Sequence, residues 1–342
     1  MAGSKIARVL GGLCVASLCL VLLGCGQTSQ PGQETSGSTD ASPTAQPTEV
    51  RVASLKGPTS IGLVNLMEDA KAGSTANSYS FDIVGTPDEV VQKVVNGDVD
   101  IALVPANVAS VLYNKTDGKV QAIDINTLST LSVVSANSQV KSFSDLAGKT
   151  VYLTGKGASP QYVVEYLLSQ AGMSDSVTLE YKSEAPEVVA ALAQDPEAAA
   201  VLPQPFATAA LSKVEGATTV ADLGDVWKQY APEGSQLVTG VTVVSADFLA
   251  NHPEAVQTFV KEQDASVKSV LADPEAAAPL VVSYGIIDNE AVAAKAIPSC
   301  GLACVTGQAM ESALEGYLSV LYEANPASVG GGLPTQDFYW LD

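Results

Sequence analysis

Histidine is almost absent from this 342-residue chain, with His252 the only one. Catalysis through an imidazole general base, and metal shells built from several histidines, therefore have no basis in the sequence. Cations are scarce too: 17 Lys plus Arg stand against 37 Asp plus Glu, a formal charge of −20. Nucleic acid needs clustered cations, so that class of partner is excluded. Cysteine numbers five, and three of those (Cys14, Cys19 and Cys25) fall in the first 25 residues. Beyond Leu23 no long apolar run occurs, so no membrane span is expected there. No G-x-S-x-G nucleophile signature appears, and His252 reads as a solvated or capping residue in the turn before a helix.

What is present begins at the amino terminus, MAGSKIARVLGGLCVASLCLVLLGCGQ. Lys5 and Arg8 precede an apolar run from Val9 to Leu23 that is shorter than the roughly 20 residues needed to span a bilayer. The basic flank and the small-residue exit mark residues 1–24 as a secretion signal. Leu22-Leu23-Gly24-Cys25 resembles the bacterial lipobox, in which the cysteine becomes the lipidated first residue; cleavage by the ordinary signal peptidase is the alternative. Residues 25–49 are rich in Gln, Thr, Ser, Pro and Gly and lack aromatics, as expected of a disordered polar tether. Loss of Lys5 and Arg8 with the signal would take the charge from −20 to −22.

Past the tether, strands alternate with helices. VRVASL (Val50–Leu55) leads into KGPTSIGLVNLMEDA, and VYLTGKGASPQYVVEYLL (Val151–Leu168) has the same strand, turn and helix order. Lys56-Gly57-Pro58-Thr59 and Lys156-Gly157-Ala158-Ser159 lie 100 positions apart, each reading K-G-x-[ST]. The second is no phosphate loop, because Lys156 lies between Gly155 and Gly157 instead of following the last glycine. Taken singly, each turn is explained equally well as an ordinary strand-to-helix connection. The parallel continues, however: the stretch from Thr86 resembles that from Ala185, with Pro87 to Pro105 spanning 18 positions and Pro186 to Pro203 spanning 17. Each proline opens a helix, where its missing N–H costs nothing.

The expected fold is therefore α/β with two lobes of one plan, mostly parallel sheets, and both K-G-x-[ST] turns at carboxyl edges facing an interlobe cleft. Residues 50–134 plus 246–342 form the first lobe and 135–245 the second, joined by a two-strand hinge with crossings near 133–137 and 237–244. The tail GGGLPTQDFYW (Gly330–Trp340) is expected on the surface as a capping loop. Asp98 and Asp100, at the entry to a strand, are not expected to converge as a carboxylate pair. Tyr113, Tyr162, Tyr166 and Phe206 are candidates for stacking on a ligand, with core packing the plainer reading of Tyr162 and Tyr166. Lys56 and Lys156 are candidates for ligand contact, or solvated surface lysines. Cys300 and Cys304, in PSCGLACV, are either a short disulfide or two reduced thiols; a metal site is not expected, since nothing nearby completes the shell.

The lipobox and tether, NGDVDIALVP, FSDLAGKTVYLTGKG, and ADFLANHPEAVQTFV with LADPEAAAPLV together resemble an extracytoplasmic solute-binding lipoprotein of an ABC importer. The branch is the nitrate, sulfonate and taurine type, which also includes thiamine-pyrimidine binders, and the likeness covers about residues 50 to 325. It implies the two-lobed periplasmic-binding-protein-like (type II) fold, no cofactor, a permease partner, and anchorage outside the cytoplasm through lipid on Cys25. By position it implies ligand contacts from Lys56, Gly57, Pro58, Thr59 and Ser60, from Asn107, from Lys156, Gly157, Ala158 and Ser159, and from Gln204, beside which Phe206 offers an aromatic face. The cysteine cluster of the related pyrimidine-making enzymes is absent. The LVPAN and LPQPF turns depart from the sulfonate-binding pattern, which leaves the solute open: an anion on the strength of two lysines and two helix starts, or a polar heterocycle on that of Asn107, Gln204 and Phe206. The alternative functions are an enzyme resembling the menaquinone-pathway lyases and synthases, which act in the cytoplasm, and the input module of a surface sensor.

Overall fold

The computed structural model describes residues 47–341; Cys25, the signal and most of the tether lie outside the described residues. Alternating branched residues make β1 (Glu49–Leu55) a strand of a six-stranded sheet with β2 (Ser78–Val84), β3 (Ile101–Pro105), β4 (Val120–Thr127), β10 (Gly240–Ser245) and β11 (Leu302–Val305), in the order β11-β4-β10-β3-β1-β2. A second, five-stranded sheet has the order β7-β6-β8-β5-β9, from β5 (Leu131–Ser135), β6 (Thr150–Leu153), β7 (Thr178–Tyr181), β8 (Ala199–Pro203) and β9 (Thr218–Asp222).

The repeat in the sequence is a repeat of topology. β1 pairs parallel with β2 and β3 as β6 does with β7 and β8. In each sheet one antiparallel strand arrives from the other lobe: β10 beside β3, and β5 beside β8. Parallel pairs need helical crossovers. In the first lobe these are α1 (Pro58–Ile61), α2 (Val64–Ala72), α3 (Pro87–Asn96) and α4 (Ala106–Lys115). The second lobe has α5 (Ser159–Gln170), α6 (Ala185–Gln194), α7 (Phe206–Lys213) and α8 (Leu223–Tyr230). The chain then returns to the first lobe with α9 (Ala246–Asn251), α10 (Pro253–Ala272), α11 (Pro274–Ser283), α12 (Glu290–Ala296) and α13 (Gly307–Ala324). Among the described residues no helix is long and apolar enough to cross a membrane.

The crossings differ from the sequence expectation. The first lies at 128–130, not 133–137, because Val133 is already paired with Val201 and Ala221 in the second sheet. The return lies at 231–239, since β10 is paired with β3 and β4 along its whole length. Both crossings are connecting segments rather than strands, tied where the Thr239 amide donates to the Thr127 carbonyl at 3.0 Å. Gly301 covers the first crossing: its φ is +63°, and a Cβ there would come within 2.5 Å of the Ser129 carbonyl oxygen. Only glycine suits both demands.

The tail lies at the surface along most of its length, as expected of a capping loop, but Phe338 and Tyr339 anchor it in the core. Phe338 is fully buried, its ring 5.2 Å from that of Tyr113, and the Trp340 amide donates to the Ala122 carbonyl at 2.9 Å. An aromatic residue of this size gains more from burial than the tail loses in freedom, so the segment closes over β4. Cys300 and Cys304 are free thiols. Cys300 ends a 3-10 turn inside an apolar cluster, whereas the Cys304 thiol on β11 donates to the Val260 carbonyl, so the two face different neighbours.

One apolar core runs unbroken from Val104 and Leu112 of the first lobe, through Leu314 and Tyr317 of α13, to Val163 and Trp227 of the second. On the opposite side the lobes keep separate clusters, one around Val281 and Ile297 and the other around Val188 and Leu202. The interlobe space is thus backed by shared core on the α13 side only.

Candidate functional site

Three cavities are lined by both lobes, one of them a polar space of about 630 Å³ between Ser212 and Lys295; the other two flank the Pro203-Gln204-Pro205 turn at the end of β8. The inner one, about 400 Å³, is floored by the two crossings through Thr130, Leu131, Leu237 and Thr239. Its walls come from helix starts at the carboxyl ends of strands: Pro105 and Asn107 at β3–α4, Thr154 and Ser159 at β6–α5. Ligands in open α/β sheets bind at such edges. Tyr317 of α13 closes the back; burial pushes its hydroxyl up to about 12, with a hydrogen bond from Ser159 acting the other way. The Asn107 amide donates to the Ser328 carbonyl at 3.2 Å, which fixes the side chain against the cavity wall.

The outer cavity, about 750 Å³, is lined by Lys56, Gly57 and Pro58 and by Ile286 and Asp288 from the first lobe. Facing them are Val189 of α6, then Gln204, Phe206 and Lys213. Its charges are mixed and lie at its rim, where Lys56, Lys213 and Asp288 are exposed.

The sequence candidates are accordingly divided. Asn107, Ala158 and Ser159 line the inner cavity, while Lys56, Gly57, Pro58, Gln204 and Phe206 line the outer one. Thr59 and Ser60 line neither; both are buried, and their hydroxyls donate to the Leu55 carbonyl. Lys156 and Gly157 also lie outside both. The exposed Lys156 ammonium stands 5.9 Å from the Tyr181 ring centroid, and the Gly157 amide donates to Gln161 Oε1 at 2.7 Å. Gln204 directs its Oε1 to the Thr208 hydroxyl at 2.8 Å and its backbone amide to the Thr130 carbonyl, which anchors the partition to the crossing.

Of the aromatic candidates, Tyr113 and Tyr162 are core residues, bonded to Asp337 and Asn325, and Tyr166 packs on Trp227. Asp100 pairs with Arg51 at 2.6 Å, apart from the exposed Asp98. His252 caps the junction of α9 and α10 with its ring 4.9 Å from Phe248. Sequence reasoning missed Thr130, Thr154, Thr239 and Tyr317. The threonines sit at strand ends that only the true crossing points identify, and Tyr317 reads as one more core position of an amphipathic helix.

Two sheets of one plan around a cleft define a two-lobed α/β protein of the periplasmic-binding-protein fold. A family model described as NMT1/THI5 like matches residues 81–277, more than half of the chain, and the protein belongs to that family. Among solved structures it is similar to an ABC transporter protein from Parabacteroides distasonis, at 22% identity and a TM-score of 0.72 over 85% of this chain and 98% of that one. The periplasmic aliphatic sulphonate-binding protein SsuA of Escherichia coli matches at 15% identity and a TM-score of 0.67, over 86% and 92% of the two chains. The alkanesulfonate-binding SsuA of Xanthomonas axonopodis pv. citri, bound to MOPS, matches at 15% and 0.60 over 87% and 100%. These likenesses are of fold. No curated protein matches the chain.

Proposed function

We propose that this protein is an extracytoplasmic solute-binding protein of an ABC importer, anchored to the membrane by lipid on Cys25, which closes its lobes on a small solute and delivers it to a permease. The observation that carries the proposal is the inner cavity, because both crossings form its floor and strand ends of both lobes form its walls. A solute there touches both lobes at once and so binds the closed arrangement more tightly than the open one. The lobes are residues 49–127 with 240–341, and residues 131–230.

The family and the solved neighbours support the transport role, two of those neighbours being described as sulfonate-binding proteins. Asn107, Ala158 and Ser159 are the inherited candidates for direct contact in the inner cavity; Lys56, Gly57, Pro58, Gln204 and Phe206 would guard its approach. A binding role is favoured over catalysis because the inner cavity is lined by no carboxylate, histidine, lysine or cysteine that would act as acid, base or nucleophile.

The test is mass spectrometry of small molecules released when the purified protein is denatured, followed by solution scattering as the released compound is added back. A defined compound and a smaller radius of gyration are expected. Absence of any released or stabilising compound, with an unchanged radius, would remove the reading.

A further inference from the structure

We propose that the solute of the inner cavity is uncharged: a small molecule with an apolar body and a hydrogen-bonding end, and not a sulfonate, carboxylate or nitrate. The proposal rests on the solute-binding reading above and deepens it. Among the 17 residues that line this cavity none carries a charged side chain. Its one ionisable group, the Tyr317 phenol, stays neutral, because burial pushes it up to about 12.

Helix starts are the usual alternative to cations for holding an anion, since their first-turn amides converge on it. Here several of those donors are absent or already bonded. Pro87 opens α3, Pro160 is the second residue of α5 and Pro105 precedes α4, so three positions have no N–H. The Ala106 amide already donates to the Thr239 carbonyl at 3.0 Å and the Ala158 amide to Gly155 at 2.9 Å. The Gly157 amide is taken by Gln161. The lysines that favoured an anion in the sequence stand elsewhere: Lys56 at the outer cavity and Lys156 above Tyr181. An anion in the inner cavity would lose its water and gain no opposite charge, the situation that makes burial of a charge unfavourable. A net charge of −20 also repels anions during approach.

What the cavity does offer is neutral. Thr130 and Thr239 place their hydroxyls 3.4 Å apart on the floor, with Thr154 and Ser159 beside them. Val108, Val163, Val201 and Leu237 supply apolar walls. Hydroxyls donate or accept as the partner requires, which suits amides, alcohols and ring nitrogens.

The experiment separates a cell extract on an anion exchanger at pH 7.5 and follows the melting of the purified full chain with each fraction. The stabilising compound is expected in the flow-through, with an affinity unchanged in 0.5 M salt and unchanged in Lys56→Ala and Lys156→Ala. Thr154→Val should weaken it roughly tenfold, the loss of one hydrogen bond. A stabilising compound that is retained on the exchanger, and whose binding falls with salt or with either lysine substitution, overturns the proposal. Stabilisation by neither fraction overturns instead the solute-binding reading beneath it.

Discussion

The rings of Trp227 and Tyr317 lie 5.6 Å apart, joining α8 of the second lobe to α13 of the first in the core that both lobes share. Trp227 is fully buried, and its indole N–H donates to the Ser235 hydroxyl at 2.9 Å in the return crossing. Nothing comparable joins the lobes on the far side, where α7 meets α12 across separate apolar clusters. Opening on the α13 side would expose a continuous core, whereas opening at α7 and α12 would separate surfaces that are already distinct. The clamp should therefore open one way. Spin labels on Ser212 and Lys295 are expected to separate when solute is removed, while labels on Glu165 and Glu323 keep their distance. Equal separation of both pairs would rule out an α13-side hinge.

The covering of the first crossing makes Gly301 a sensitive position near the hinge. Gly301→Ala places a side chain at φ +63° and against the Ser129 carbonyl, and the Leu128 amide loses its alignment to the Gly301 carbonyl, now 2.7 Å. Left-handed strain and the displaced carbonyl together should cost about 2–4 kcal/mol. Urea unfolding checks this; a change below about 0.5 kcal/mol would mean that the crossing shifts freely.

Legibility in the sequence followed the range of the forces involved. The paired K-G-x-[ST] turns and the matching prolines revealed a two-lobed α/β plan, because strand, turn and helix starts are local events written in consecutive residues. The crossings were displaced because VVSAN reads as a strand whichever sheet it joins, and pairing with Val201 is decided across almost seventy residues. The buried anchor of the tail was hidden for the same reason: FYW is apolar, but its partner Tyr113 lies over two hundred positions away. Of the residues lining the inner cavity, Ser159 was a candidate from its K-G-x-[ST] turn and Asn107 from the family resemblance, whereas Thr239 and Tyr317 reach the cavity only through tertiary packing. Lys156 lies outside both cavities, over the Tyr181 ring, a placement that no spacing argument resolves.

In the proposed function, anchoring depends on Cys25. Each buried acyl CH₂ contributes about 0.8 kcal/mol, and stable attachment takes more than one chain, as bacterial lipid modification would provide. Cys25→Ala is expected to move the protein from the membrane pellet to the soluble extracytoplasmic fraction. Equal sedimentation of both forms would exclude the lipobox.

Asp124 provides the pH dependence. It is fully buried on β4, accepts from Thr242 at 3.0 Å and Gln263 at 2.9 Å through Oδ1, and leaves Oδ2 and the nearby Gln263 Oε1 without partners. Burial pushes its carboxyl up to about 7, from roughly 3.9 in an unfolded chain. Because the folded state favours the protonated form, the contribution of this group to stability is full below about pH 4. It is then lost as pH rises through about 7, above which a buried charge remains. The Cys304 thiol lies close enough to feel that charge, although burial is the larger cause of its own upward shift. Asp124→Asn removes the charge, keeps Oδ1 as an acceptor and supplies N–H donors beside the unpaired Gln263 Oε1. It should stabilise the protein by about 1–3 kcal/mol at pH 8 and by less than about 1 kcal/mol at pH 5. Urea unfolding of both forms at the two pH values decides the matter: a difference independent of pH would show that Asp124 does not titrate in this window, and a larger gain at pH 5 would show that the buried carboxylate is stabilised after all.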